Sequence, residues 1–162
     1  MTVLGNFLEL NIFSQQAVRG LEDLKPNMNK IAVKIAENSN VLSAGDMVKI
    51  TEGNSAIPTI TEIESTDVNS TVGKVGFIPL GRLKNTYTAN DITTMSMSGD
   101  IMYMIAGEEI QAGAKVAYDM SDMATNGYII NNPKEETAGV ITCGVALDKA
   151  TSKGQLIRVQ IL

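Results

Sequence analysis

Two related segments, 68 positions apart, constrain the fold more than any other feature of this sequence. Each begins with an apolar residue, an Ala-Gly pair and a strand-like stretch, and later carries a valine and a Gly-apolar pair. The aligned pairs are Leu42 and Ile110, Ala44 and Ala112, Gly45 and Gly113, Val48 and Val116, Ile50 and Tyr118, Val72 and Val140, Gly76 and Gly144, and Phe77 and Val145. The unit is too long for a solenoid repeat, and two copies are too few for a propeller. The spacing therefore predicts a β-rich module built twice, over about residues 39–81 and 107–148.

Short runs with strand character follow one another from residue 30 onward. In the first, Ile31, Val33 and Ile35 alternate with smaller or charged residues, the period of two that marks a half-buried strand. Further strands are predicted at 46–51, 59–64, 74–80, 101–105, 115–119, 127–130, 140–147 and 155–161. No long helical pattern separates them, which favours an antiparallel arrangement over βαβ units. The predicted class is all-β, an antiparallel barrel or sandwich with short β-hairpins.

Residues 1–29 differ in character from the predicted β domain over 30–162. An apolar cluster near the start is followed by Ser14, which can cap a short helix that Gly20 weakens and Pro26 ends. One interpretation is an N-terminal arm with at most one short helix. The other is an ordinary strand and helix that pack on the core.

Four methionines lie within ten residues, at positions 95, 97, 102 and 104. Methionine suits adaptable contact surfaces and also fills irregular gaps in cores. For Met95 and Met97, which are set among Thr and Ser, the sequence favours a protein interface. For Met102 and Met104 it favours core filling.

Composition excludes several classes of function. The net charge of −5 and the lack of a basic run argue against nucleic-acid binding, which needs clustered Lys and Arg. No apolar stretch approaches the roughly 20 residues needed to span a bilayer, and the start of the chain lacks a secretion-signal layout, so we expect a soluble protein without membrane contact. The single cysteine, Cys143, cannot form an internal disulfide, which fits assembly in a reducing cytoplasm.

The residues needed for many hydrolase mechanisms are missing. Without histidine, no Ser-His-Asp or Cys-His arrangement can form, and the commonest neutral metal ligand is absent. Cys143 lies in an apolar run, as a small core residue would. Two groups of acids, Glu62, Glu64 and Asp67 and then Glu108, Glu109 and Asp119, could in principle flank a glycoside, but solvated loop acids are far commoner. A cation site at Asp119, Ser121 and Asp122 is only weakly indicated. We expect no enzyme activity, no cofactor and no metal.

The second half of the chain resembles a known family. The runs that carry the resemblance are 106–119, 127–128, 138–140, 143–147 and 154–162. In order and spacing they are similar to the small capsid decoration, or cement, proteins of tailed bacteriophages, except that Ile161 stands where those proteins have leucine. The resemblance is clearest over about residues 106–162, weaker back to about residue 39, and fades before that.

This resemblance implies a structural virion protein, made in the host cytoplasm, that binds the outer surface of the assembled head. It would stabilise contacts between subunits of the major capsid protein, often as a trimer. An arm that adds a strand across a subunit boundary would suit this role. The expected capsid contacts are Phe7, Leu8, Leu10, Ile12, Phe13, Met95 and Met97.

The alternative is a head-fibre or receptor- or carbohydrate-binding β module on the virion. Such a module would use exposed aromatic rings and acids. The sequence has no tryptophan, so tyrosines would have to provide the exposed rings. They are Tyr87, Tyr103, Tyr118 and Tyr128.

Overall fold

The computed structural model describes residues 19–20, 29–53, 56–81, 84–122, 126–133 and 135–162. Within these ranges the chain forms twelve β-strands and no helix, so the all-β prediction is confirmed. The strands are β1 (Lys30–Ile35), β2 (Leu42–Ser43), β3 (Met47–Glu52), β4 (Thr59–Glu62), β5 (Val75–Phe77), β6 (Thr86–Tyr87), β7 (Ile92–Ser96), β8 (Ile101–Ile105), β9 (Lys115–Asp119), β10 (Tyr128–Asn131), β11 (Val140–Ala146) and β12 (Leu156–Ile161). In this part of the chain no helix long and apolar enough to cross a membrane is present.

The first half of the chain, residues 30–96, forms a closed barrel in the strand order β1-β4-β3-β5-β7. Four of its pairings are antiparallel, but β1 and β4 are parallel, with Lys34 opposite Thr59 and Ile35 opposite Ile60. A closed ring with an odd number of strands cannot alternate in direction throughout, so one parallel pair is unavoidable. This pair is the departure from the predicted antiparallel arrangement. The short strands β2 and β6 pair beside the barrel.

The second half, residues 101–161, forms a five-stranded antiparallel sheet in the order β10-β9-β11-β12-β8. A parallel bridge between Ala106 and Ile129 brings its two edges together. An antiparallel bridge joins Ile110 to Ala150.

The pairing pattern of the first half recurs in the second. The Ile35–Ile60 parallel pair corresponds to Ala106–Ile129, and in both places the next residue, Ala36 or Gly107, donates its N–H to the isoleucine carbonyl, at 3.0 and 2.7 Å. The β2–β6 pair of Leu42 with Tyr87 likewise corresponds to the bridge of Ile110 with Ala150. The recurrence covers more of the chain than the windows 39–81 and 107–148, and the division into an arm and a β domain stays a prediction.

Two glycines at the repeated Ala-Gly position show why that position is repeated. Gly45 and Gly113 have φ angles of +86° and +83°. A residue with a Cβ atom is strained in this left-handed region, whereas glycine enters it freely. Both turns lead into a strand that is paired on both sides, β3 or β9.

The core has two parts. One cluster fills the first barrel and includes Val33, Ile35, Val48 and Ile60. The other fills the second half and extends into the first through Met47, Ile63, Val72 and Phe77. Successive strand residues face opposite sides, so Val48 points into the barrel while Met47 points towards the second half. We call this junction, where Met47, Ile63, Val72 and Phe77 of the first half pack with the core cluster of the second half, the seam.

Candidate functional site

Five of the predicted capsid contacts lie outside the described residues. They are Phe7, Leu8, Leu10, Ile12 and Phe13. Their role in contacting a capsid stays a prediction.

The other two predicted contacts, Met95 and Met97, lie in the core. Their exposed fractions are 0% and 6%, and both belong to the cluster inside the first barrel. Met95 lies opposite Ile31 in the β1–β7 pair and also occupies the space above Gly76, where a Cβ would come within 2.6 Å of its Cγ. The prediction that these two side chains form a protein interface at the surface is therefore wrong, because both are buried. Core filling, predicted for Met102 and Met104, applies to all four methionines.

The tyrosines of the alternative interpretation divide into two groups. Tyr87 is buried and donates its hydroxyl to the Lys84 carbonyl at 3.0 Å, and Tyr118 is buried in the seam. Tyr103 and Tyr128 are partly exposed, and Lys153 Nζ lies 5.6 Å from the centre of the Tyr128 ring. Of the four tyrosine rings, all of which the structure describes, these two could stack on a partner.

The candidate nucleophile and acids are held by structural contacts. Burial raises the pKa of the Cys143 thiol, which points its Sγ at the Val116 carbonyl. Burial also acts to raise the pKa of Glu62, but hydrogen bonds from Ser39 and Asn40 outweigh it and hold that pKa below its ordinary value. Asp67 pairs with Lys49 at 2.7 Å. These groups stabilise strands and loops.

The weakly indicated cation site is a local turn. Asp119 Oδ1 accepts hydrogen bonds from the N–H and the hydroxyl of Ser121, at 2.8 and 2.6 Å. No group of three or more His, Cys, Asp or Glu side chains suited to a metal ion occurs among the described residues.

The polar site that the structure does assemble lies in the seam. The Arg19 side chain enters it and donates from Nη2 to the Gly45 carbonyl at 2.8 Å, to Asp46 Oδ1 at 2.9 Å and to the Tyr118 hydroxyl at 3.0 Å. Asp46 also accepts the Ser43 N–H at 2.6 Å, which fixes the Ala-Gly turn. Residues of both halves thus converge on one guanidinium group.

Aromatic contacts and a cleft complete this site. The Phe77 and Tyr118 rings meet edge to face, with centroids 5.8 Å apart and planes at 74°. Burial raises the pKa of Tyr118 to about 12, although the charge of Arg19 acts in the opposite direction. A cleft of about 210 Å³ opens beside Arg19, and its lining includes Asp46, Glu62, Tyr118 and Gly127.

No sequence pattern indicates a role for Arg19. The residue lies in the predicted arm, where Gly20 indicates only a weak point of a short helix. A glycine inside a helical pattern can have a packing reason, and this is the one signal that the sequence offers.

Comparison with solved structures finds chains of similar fold. The chain shares its fold with a phage head protein. A crystal structure of the head fibre gp8.5 N base of bacteriophage phi29 is similar with a TM-score of 0.50, at 17% sequence identity, over 84% of this chain and 95% of that one. No family model and no curated protein matches the sequence. At this identity the similarity concerns the fold alone, and it does not single out the decoration proteins.

Proposed function

We propose that this chain is a structural protein of a bacteriophage virion, a decoration protein that binds the outer surface of the assembled head. Its partner would be the major capsid protein, whose subunit contacts it stabilises, and it would act as a homo-oligomer, a trimer. The observation that carries the proposal is the similarity in fold to a head fibre base over most of both chains. We propose no enzyme activity, no cofactor, and no nucleic-acid or membrane partner.

A decoration protein needs no chemistry, because it works by mass action. A ligand that binds only the closed shell stabilises it, by about 2.7 kcal/mol per site when its free concentration is one hundred times Kd. The same contact recurs over the whole shell, so modest affinity at each site is sufficient. Polar groups such as Asp46, Glu62 and Asp119 accept hydrogen bonds within the protein, which agrees with such a passive role.

The second candidate is the base of a head fibre, which attaches to the head and carries a further module. The phi29 similarity favours it specifically, since that structure is itself a head fibre base. Both candidates predict binding to the head. They differ in whether binding strengthens the shell.

The test combines co-sedimentation with a heat challenge of expanded capsids that lack this protein. We expect saturable binding by the full chain and an increase in the temperature at which the shells rupture. Saturable binding without added heat resistance would favour the fibre base. Absence of binding at any concentration would refute both candidates.

A set of variants tests the predicted arm contacts. Replacing Phe7, Leu8, Leu10, Ile12 and Phe13 by serine should weaken binding. The matched control replaces Val41 and Ile92, which are 61% and 63% exposed, by serine, and it should bind as the wild type does. Equal loss in both variants would show that any exposed apolar side chain contributes and that the arm has no special role.

A further inference from the structure

Gly20 connects the two halves through its backbone. Its N–H donates to the Tyr103 carbonyl of β8 in the second half at 2.8 Å, and its carbonyl accepts the Leu80 N–H of the first half at 2.9 Å. One residue from before the barrel thus links the two halves through two backbone hydrogen bonds.

Arg19 makes the same connection through its side chain. It bonds to Gly45 and Asp46 in the first half and to Tyr118 in the second. The Arg19 and Asp46 side chains are each only 23% exposed, so their ion pair is partly shielded from water. Charge-assisted hydrogen bonds in such surroundings are among the stronger ones in proteins.

Close packing indicates that the Gly45 turn accommodates Arg19 and Gly20 specifically. Gly20 has φ +80°, and a Cβ there would lie 2.5 Å from Gly45 N. A Cβ on Gly45 would in turn lie 2.4 Å from Arg19 Cγ. Among the described residues, no heavy atom lies within 4 Å of a Cβ added to Gly113, the repeat partner of Gly45. Within this part of the chain, the repeated turn is packed in one half and open in the other.

We propose that Arg19 and Gly20 form a clasp that holds the two halves together. Opening the clasp releases the Gly20 and Leu80 amides and loosens the seam, while each half keeps its own strand pairing. A second consequence rests on the proposed function: if residues 1–18 bind the capsid, the clasp transmits that attachment to both halves.

Amide hydrogen exchange on the full-length protein tests the clasp. In Arg19→Met, which keeps an apolar stem but loses the hydrogen bonds, the Gly20 and Leu80 amides should exchange about tenfold faster or more. The Ala36 and Gly107 amides, which close each half, should stay within about twofold of wild type. Exchange of Gly20 and Leu80 within about twofold of wild type would overturn the proposal.

A matched control and a milder variant complete the test. Arg158→Met removes an arginine that pairs with Asp148 at 2.8 Å inside the second half, and it should leave the Gly20 and Leu80 amides unchanged. If Arg19→Met does not fold, Tyr118→Phe removes a single clasp hydrogen bond and should still accelerate both amides. Unchanged exchange in that variant would overturn the proposal as well.

Capsid binding separates the clasp from the proposed function. If the wild type binds shells, Arg19→Met should bind them about tenfold more weakly, whereas Arg158→Met should bind them as the wild type does. Equal binding by Arg19→Met and wild type would refute the transmission of attachment through the clasp. If the wild type itself does not bind, the proposed function fails, and the exchange result still decides the clasp.

Discussion

Replacing Gly144 with alanine should destabilise this protein, and so should the same change at Gly76. These glycines lie inside β11 and β5, at the repeated Gly-apolar position. A Cβ at 144 would lie 2.4 Å from the Gln160 carbonyl oxygen and 2.6 Å from Val159 Cγ1. At 76 it would lie 2.5 Å from the Ser96 carbonyl oxygen. Because the obstacle is backbone of the neighbouring strand, a rotamer change alone cannot relieve it.

The size of the loss follows from two opposing terms. Inserting a methyl group into a filled space costs about 1–3 kcal/mol, because neighbouring atoms must shift. Alanine also restricts the conformations of the unfolded chain, which stabilises the folded protein by about 0.4–1 kcal/mol. We therefore expect a net loss of about 1–2 kcal/mol in the free energy of unfolding for each variant.

Urea unfolding measures this loss. With an m-value of about 2 kcal/mol/M, the middle of the usual range for urea, the midpoint should fall by roughly 0.5–1 M while m stays constant. The matched control is Gly53→Ala, since no heavy atom of the described residues lies within 4 Å of its added Cβ and its φ is outside the left-handed region. That variant should be unchanged or up to about 1 kcal/mol more stable.

Two results would refute the reasoning. A Gly144→Ala protein within about 0.5 kcal/mol of wild type would show that the strands move apart at little cost. An equal loss in Gly53→Ala would show that glycine flexibility, and not close packing, accounts for the effect.

Two further perturbations test the seam. Phe77→Ala should cost about 3–5 kcal/mol of unfolding free energy, because the ring is buried against Tyr118, and a loss below about 1.5 kcal/mol in urea unfolding would contradict that packing. Burial raises the Tyr118 pKa to about 12. As the pH rises above about 10, the ordinary tyrosine pKa, the hydroxyl therefore loses its proton in the unfolded state before it does so in the folded state. The contribution of Tyr118 to the free energy of unfolding should be complete below about pH 10 and fall by about 2–3 kcal/mol as the pH rises to 12. The difference between the wild-type and Tyr118→Phe stability curves isolates this contribution, and a flat difference would show that burial does not perturb the hydroxyl.

Local patterns in the sequence predicted much of the secondary structure. The alternation in 31–35 and the ranges 101–105 and 115–119 agree with β1, β8 and β9. Strands β2, β6 and β7 lie outside the predicted ranges. β7 carries an exposed Ile92, two threonines and a buried Met95 and Ser96, so its residues show no clear period of two.

By itself, the sequence determined the class and the local turns of this protein. Alternation decides which residues can share one face of a strand, and a left-handed turn requires glycine at positions such as 45 and 113, because both effects arise within a few residues. The tertiary structure decided which face is covered and which segments meet. It buried Met95 and Met97, closed the first barrel with a parallel pair, and placed Arg19 between Asp46 and Tyr118. Those contacts join residues far apart in the chain, and their energy depends on surroundings that no local pattern contains.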